Sequence, residues 1–489
     1  MTAQHEAGAI ERVPVLVVGT GPAGLMTALT LARAGVRNLL VERHGGINPL
    51  PRATGVSTRT MELVRAFGLE AAARAGEVPV RRRGGLRTWT LALAHQGVLS
   101  PFTFPDPEIV AAVSPSAPAI IPQDHLETVM LGALRARPEA EVAFDTELAA
   151  FDQDDGGVTA VLRSRTSGAL RTVRAGYLVG ADGAHSTVRA GLGIEMTGPD
   201  HLSEIATVLF EAPLDEVVGE DRYGLYAIFH SEAAGVLVPS GAGRWLYGRE
   251  WDPRHETLDD YPESRLVELI RLAAGVPDLD VRVLRTGHFS FAAQVAERFR
   301  DGRVVLIGDA AHRMTPRGGR GMNTAIHDAD ALGWRLAWIL KGWAGPGLLD
   351  GYEPERRPIA ERNVAFSAQE EPDFDVRRFL AEDLDGRLPH AWVAEGVSTL
   401  DLLGPGLTLL TGPDWPEAQV IGPVPVTVTR LDRAAAEVVG AGAAGAVLVR
   451  PDAHIAWRSG GDVDLAEAVA ALTPAMSMAT TRDLSVISS

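Results

Sequence analysis

Two glycine-rich stretches carry the residues whose types and spacing could do chemistry. Gly19-Thr20-Gly21-Pro22-Ala23-Gly24 follows the apolar run Val15–Val18 at once. After it, Leu25, Ala28, Leu31 and Met26, Leu29, Ala32 recur at helical spacing until Gly35. Asn38 to Val41 reads as a second strand that ends in Glu42. Strand, glycines, helix, strand and acid in this order predict a dinucleotide grip. Gly19 makes the turn, Gly21 lets the backbone approach a pyrophosphate, and Gly24 permits close helix–strand packing. The helix N-terminus faces the negative charge, and Glu42 stands where a ribose hydroxyl is usually received. The same glycine pattern recurs at Gly440–Gly445, but with a helix before it and a strand after it, so that copy is expected to be a loop.

In the second stretch the run Val304–Ile307 ends in Gly308-Asp309. A carboxylate on that turn fits the hydroxyls of a ribityl chain, which FAD has and NAD lacks. Past Gly318-Gly319 a helix is predicted from Gly321, with Met322, Ala325, Ile326, Ala329, Leu332, Leu336 and Ile339 as its buried stripe. Its N-terminal partial charge, set beside the pyrimidine end of a flavin, would stabilise the anion formed on reduction.

A chain of 489 residues with 46% apolar content has room for two to three domains to position these stretches. The net charge of −17 argues against nucleic-acid binding. The run Arg81-Arg82-Arg83 is the exception, read either as a solvated loop or as a docking spot for an anionic cofactor such as NADPH. Without cysteine there is no disulfide, thiolate catalysis or Cys-based metal site, and His312 has no partner at metal-ligand spacing, so no metal is expected. The first residues lack a signal-peptide pattern and no run of 18 uncharged apolar residues occurs. The expectation is a cytoplasmic protein with no membrane span, monomeric or homodimeric.

Further motifs resemble the class A flavoprotein monooxygenases, the para-hydroxybenzoate hydroxylase fold family. YLVGADGAHSTVR at 177–189 looks like the family's second signature, with Asp182, Gly183 and Arg189 in register, and GDAAH at 308–312 looks like its third. PRATGVSTRTMELVRAFGL at 51–69 and GYEPERRPIAERN at 351–363 are similar to flanking family segments. The resemblance implies an α/β fold: a Rossmann-like FAD-binding domain, an interleaved mixed-sheet substrate domain and a C-terminal thioredoxin-like domain. The expected boundaries are 1–80, 111–200 and 290–370 for FAD, 81–110 and 201–289 for substrate, 371–397 for a linker, and 398–489 for the last domain. Within the last domain, 398–412 and 446–459 are expected as strands.

The cofactor-binding set that motifs and resemblance together imply is Gly19, Gly21, Pro22, Ala23, Gly24, Glu42, Arg43, Arg52, Gln123, Asp182, Asp309, Pro316, Gly319, Gly321, Met322 and Asn323. One departure from the family pattern stands out: Arg320 occupies a position that is usually neutral, with Arg317 three before it and His327 where glutamine is common. These cations could bind an anion, an acidic substrate or NADPH, or face solvent.

The resemblance implies that NADPH or NADH reduces FAD and that O2, activated as a flavin C4a-hydroperoxide, hydroxylates an electron-rich ring. The longer, polyketide hydroxylase-like subgroup suggests a bulky phenol or polycyclic aromatic polyketide, as in antibiotic biosynthesis. Tyr223, Tyr226, Arg249 and His288 are the polar candidates to face it, with His230 beside them; no general base is identifiable. The same scaffold also hosts Baeyer–Villiger insertion and antibiotic-inactivating hydroxylation. The nucleotide grip alone would equally serve an FAD-dependent reductase or dehydrogenase, or a non-catalytic flavin-binding protein.

Overall fold

The computed structural model describes residues 10–473, apart from 221, 371–372, 417–421 and 462; at 82–83, 101–102 and 258 it describes the backbone alone. The side chains of Arg82 and Arg83, and with them most of the basic run, therefore lie outside the described residues.

The strand Glu11–Val18 sits between Asn38–Val41 and Leu170–Gly180, all parallel, with Ala140–Ala143 and Val304–Leu306 extending the parallel sheet on either side. Val15 to Val18 are buried, as a strand covered on both faces requires. The carboxyl ends of three strands open at one edge and are knitted together there. Gly19 N–H donates to Val41 O (2.8 Å), Ala181 N–H to Val18 O (2.9 Å) and Ile307 N–H to Gly180 O (3.0 Å). The three signature loops thus emerge side by side, at the crevice where open α/β sheets place their ligands. The helices Pro22–Arg33 and Gly321–Leu340 pack against each other closely. A Cβ on Gly333 would lie 2.6 Å from Thr30 Cγ2, so only glycine admits that approach.

A second, seven-stranded sheet runs in the order 282–291, 203–211, 244–251, 235–239, 223–228, 82–88, 98–103. One face packs on the helix Glu263–Ala274. Val208, Phe210, Tyr226, Leu237, Trp245 and Tyr247 meet Leu266, Leu269 and Ile270 there.

The C-terminal sheet has the order 426–430, 407–411, 446–449, 455–458. Its first pair is parallel and the later pairs antiparallel, a thioredoxin-like arrangement. One side is covered by the helix Arg433–Val439 together with Leu388 and Leu400. The other side packs on Trp334 and Trp338 of the 321–340 helix.

Three expectations are corrected. The stretch 371–397 is more than a linker, since it contains the helix Val376–Asp383, N-capped by Asp375, and the first strand, Trp392–Ala394, of a two-stranded hairpin. The expected strand at 398–412 begins as a 3-10 turn, Thr399–Leu402, because Ser398 and Asp401 form a capping box, and only Leu407–Thr411 is extended. The expected strand at 446–459 is a hairpin of two. The second glycine repeat is indeed a loop, with Gly440 at φ +77° closing the 433–439 helix.

Candidate functional site

The glycines of the first turn differ in what surrounds them. A Cβ on Gly24 would fall 1.8 Å from Gly19 O, and one on Gly19 (φ +105°) 2.3 Å from Ala181 O. Both positions are filled by backbone. Around Gly21 nothing lies within 4 Å. Gly21 N-caps the 22–33 helix without a side-chain hydrogen bond, so the helix's first amide donors face open space. An open cradle beside orphaned N–H groups fits a pyrophosphate. Glu42, half-buried at the end of its strand, accepts from Thr20 N–H (3.1 Å) and Oγ1–H, and from His44 N–H (2.9 Å). Burial opposes its charge, but these bonds prevail and hold its pKa below the usual carboxylate range.

The Gly308–Ala310 turn is built from beneath. Asp328, buried, receives His312 Nε2 at 2.6 Å and Arg356 Nε at 2.7 Å, and its Oδ2 also lies 3.3 Å from Gly308 N. Burial works against the Asp328 charge; His312 and Arg356 outweigh it and lower the pKa to about 2. His312 and Arg356 are thus structural. Arg189 spans two signature loops, donating to Ala310 O (3.1 Å) and Ala184 O (3.0 Å). On this platform Asp309 is half-buried and makes no hydrogen bond or ion pair to any described residue. A carboxylate held in place yet free of protein partners fits the hydroxyls of a ribityl chain.

Several expected ligands are engaged elsewhere. Asp182 accepts from Ser186 Oγ (2.5 Å) and Val188 N–H (3.0 Å), which fixes its carboxylate at the start of the 187–191 helix. Asn323 is buried; its amide donates to Gly55 O and Gly319 O and accepts from Ser57 N–H, which leaves its side chain no free polar atom. Only backbone donors at Gly321, Met322 and Asn323 remain for a ligand, because the 321–340 helix also lacks a side-chain cap. Pro316 and Gly319 are exposed beside them. Arg320 is neither an anion site nor a solvated cation. Its Nη1 donates to Asn363 Oδ1 (2.7 Å) and Glu382 Oε2 (2.8 Å), and Phe366 and Phe379 flank the guanidinium. Arg317 donates to Gln369 O, and His327 pairs with Thr60 Oγ1 at 3.1 Å.

Arg43 and Arg52 are exposed near the crevice. Gln123 opens the 123–135 helix and donates to Glu127 Oε1 at 2.7 Å. Glu127 was not expected. Burial raises its pKa to about 7, against the pull of Gln123 and Arg52. Its signal in the sequence is the four-residue spacing from Gln123, which puts both on one helix face.

The substrate sheet separates its two faces by alternation. Phe210, Tyr226, Trp245 and Tyr247 point to the helix side. Gly287, paired with Thr207, turns the other way, and a Cβ there would meet Leu50 Cδ2 of the FAD domain at 2.6 Å. Strand alternation puts Ile205, Thr207, Leu209, Val236, Leu246 and Gly248 on that second face. The four polar candidates are corrected accordingly. Tyr226 is fully buried in the helix-side core, and its hydroxyl oxygen accepts from Tyr223 N–H (2.9 Å). Tyr223 packs edge-on against it. Arg249 is held on the helix side by Tyr261 and Glu232 O. His288 lies on an edge strand, opposite in face to Gly287, and is exposed. His230, beside them, stacks near Trp89.

A Rossmann-like grip, a second helix N-terminus facing the same crevice and a roofing sheet define a flavoprotein of the aromatic hydroxylase type. Residues 12–367 match the FAD binding domain family and residues 383–478 the aromatic-ring hydroxylase C-terminal family, and the chain belongs to this group of FAD-dependent monooxygenases. It is 36% identical to a putative polyketide hydroxylase of Streptomyces halstedii, over 94% of this chain and 95% of that one. It is 37% identical to aklavinone 12-hydroxylase RdmE of Streptomyces purpurascens, over 91% and 95%. It is also 36% identical to a 4-methyl-5-nitrocatechol 5-monooxygenase of a Burkholderia species, over 95% and 97%. Among solved structures, a ternary complex of aklavinone-11 hydroxylase with FAD and aklavinone superposes with TM-score 0.84 at 34% identity, covering 94% of this chain and 98% of that one. Among the described residues no helix is long and apolar enough to cross a membrane, and no group of side chains could hold a metal ion.

Proposed function

We propose that this enzyme uses NAD(P)H and O2 to hydroxylate a bulky, polycyclic phenolic substrate of the polyketide type. The observation that supports the substrate class is the second face of the roofing sheet. Its centre offers Thr207, Val236, Leu246 and Gly248, small or aliphatic, flanked by Ile205 and Leu209, with Glu250 and Arg285 opposite these last two. Such a surface suits a flat, extended ring system and excludes water, which limits loss of activated oxygen. Relatives named as an aklavinone 12-hydroxylase and a tetracenomycin A2 monooxygenase-dioxygenase support the same reading.

In this reading the Gly19–Gly24 turn and the helix behind it take the pyrophosphate, and Glu42 receives the ribose. Asp309 receives the ribityl hydroxyls. The backbone donors at Gly321–Asn323 face the pyrimidine edge, where their partial positive charge favours the reduced, anionic ring. FAD, when bound, supplies the hydride acceptance and oxygen activation. This chain's own part is to orient the ring and the substrate against one another and to keep the crevice dry.

The test is a single incubation. FAD-loaded protein, NADPH and isotopically heavy dioxygen are mixed with a panel of polycyclic phenols and, in parallel, simple catechols. One heavy oxygen in a polycyclic product, with substrate-stimulated NADPH use, is expected. A product changed only in hydrogen content would overturn the reading, and turnover of catechols alone would overturn the substrate class.

A further inference from the structure

The helix Val376–Asp383 ends in two acidic residues that reach in different directions. Glu382 Oε2 accepts from Arg320 Nη1 at 2.8 Å, while Asp383 accepts from Ser57 Oγ and from Arg59 N–H, each at 2.8 Å. Ser57 N–H donates to Asn323 Oδ1 at 2.9 Å, and Asn323 Nδ2 donates to Gly319 O at 2.8 Å. Gly319 and Arg320 are neighbours, as are Glu382 and Asp383, so these bonds close a ring. The ring borders a cavity of about 40 Å³, enough for water. The Arg320 Nε is buried there without a protein partner. Phe366 and Phe379, 4.3 and 5.0 Å from the guanidinium, keep Arg320 from swinging out of the ring.

What the ring holds is the Gly318–Arg320 loop. Gly318 and Gly319 sit at φ +83° and +61°. Two consecutive glycines in the left-handed region have many alternatives open to them and lose much entropy when fixed. Around Gly319 no atom lies within 4 Å of a Cβ position, so local packing does not fix it. Within the loop its N–H donates to Pro316 O (3.0 Å); from outside, it is held through its carbonyl by Asn323, and through the side chain of the next residue by Asn363 and Glu382.

We propose that Glu382 and Asp383 are positioning residues that hold the Gly318–Arg320 loop, and through it the seat of the flavin ring, in one place. This rests on the reading above that sets the flavin beside the 321–340 helix N-terminus. The pair lies where the match to the C-terminal family begins, at residue 383. The segment that follows the FAD domain thereby acts on the cofactor without touching it.

The test compares wild type with Glu382→Ala, Asp383→Ala and Asp383→Asn as full chains, with and without FAD. Two readouts are taken: hydrogen–deuterium exchange of the 314–324 segment, and iodide quenching of flavin fluorescence in the FAD-loaded form. Loss of the one charge-assisted hydrogen bond of Glu382, or of the two that Asp383 accepts, predicts at least roughly tenfold faster loop exchange in Glu382→Ala and Asp383→Ala. Stronger quenching should accompany it, with FAD still bound. Asp383→Asn can accept Arg59 N–H and donate to Ser57 Oγ, so it should restore both readouts. Unchanged loop exchange in both disrupting variants, with or without FAD, overturns the positioning role itself. Faster exchange with unchanged quenching overturns instead the placement of the flavin ring at this loop.

Discussion

Gly21 and Gly24 stand three residues apart in one turn, yet alanine should affect them in opposite ways. Gly21 has φ −65° and ψ 177°, a conformation that alanine adopts without strain. Nothing lies within 4 Å of its Cβ position. Gly21→Ala should therefore leave the apoprotein's melting temperature unchanged or slightly higher, since a glycine replaced at a permitted angle stabilises by about 0.4–1 kcal/mol. The new methyl occupies the space through which a pyrophosphate would reach the helix amides. Losing one such charged hydrogen bond costs about 1.5–3 kcal/mol, so the Kd for FAD should rise roughly 10- to 100-fold. The assay is a flavin fluorescence titration of the apoprotein, paired with a thermal melt monitored by circular dichroism. Gly24→Ala is the contrast: its Cβ would lie 1.8 Å from Gly19 O, so it should lower the melting temperature before cofactor is added. Wild-type FAD affinity in Gly21→Ala, or a destabilised Gly21→Ala apoprotein, would refute this account of the turn.

Asp309→Ala should weaken FAD by roughly tenfold or more, the loss of a hydrogen bond to a charged acceptor. The apo melting temperature should not move, because Asp309 bonds no described residue; a lower apo melt would show a structural role instead. Burial raises the Asp330 pKa to about 6, with Arg59 opposing. The folded chain therefore keeps a proton that the unfolded chain releases near pH 4, and stability falls as pH rises from about 4 to about 6. Two pKa units correspond to about 3 kcal/mol, so urea melts of Asp330→Asn should gain on wild type by up to that amount between pH 4 and pH 7. A pH-independent difference would refute it. Arg320→Gln removes a buried, paired cation and should cost about 3 kcal/mol of stability. Exchange of the 314–324 segment should rise as it does when Glu382 is removed, and unchanged exchange would refute Arg320's place in the ring.

The parts of the fold and site legible in the sequence are those where one residue type is required by backbone geometry. Gly19 and Gly24 are fixed by contacts that no side chain could survive, and Asp309 closes a strand whose apolar run is unbroken. Side-chain engagement was not legible. Asp182 and Asn323 have the types a ligand would need. Ser186 and Val188, within the same 177–189 motif, take up Asp182, while Asn323 is engaged by Ser57 and Gly55, 266 and 268 residues away. Arg320 misleads for the same reason: its partners Asn363 and Glu382 lie 43 and 62 residues away. On the roofing sheet, aromatic and polar residues drew attention as substrate contacts. A sheet with one face on a helix hides its largest rings there, and Tyr226 and Tyr247 follow that rule.

The third domain gains a purpose from the same helix. It contains no cysteine, so its thioredoxin-like sheet has no dithiol chemistry to offer. Instead it presents Leu407, Leu409 and Leu448 to Trp334 and Trp338 on the outer side of the 321–340 helix, and Asp452 accepts from Trp334 Nε1 at 2.8 Å. Arg450 grips Glu355 through two bonds of 2.8 Å, and Arg59 donates to Asp452 O. Asp452 is buried and paired with the half-buried Arg450, and sliding the domain would break the Arg450–Glu355 and Arg59–Asp452 contacts. A helix whose N-terminal donors are proposed to hold a flavin edge needs such a fixed back. Its length carries that rigidity from the tryptophans to Gly321. The 376–383 helix, which precedes the C-terminal sheet, reaches the loop in front of it through Glu382.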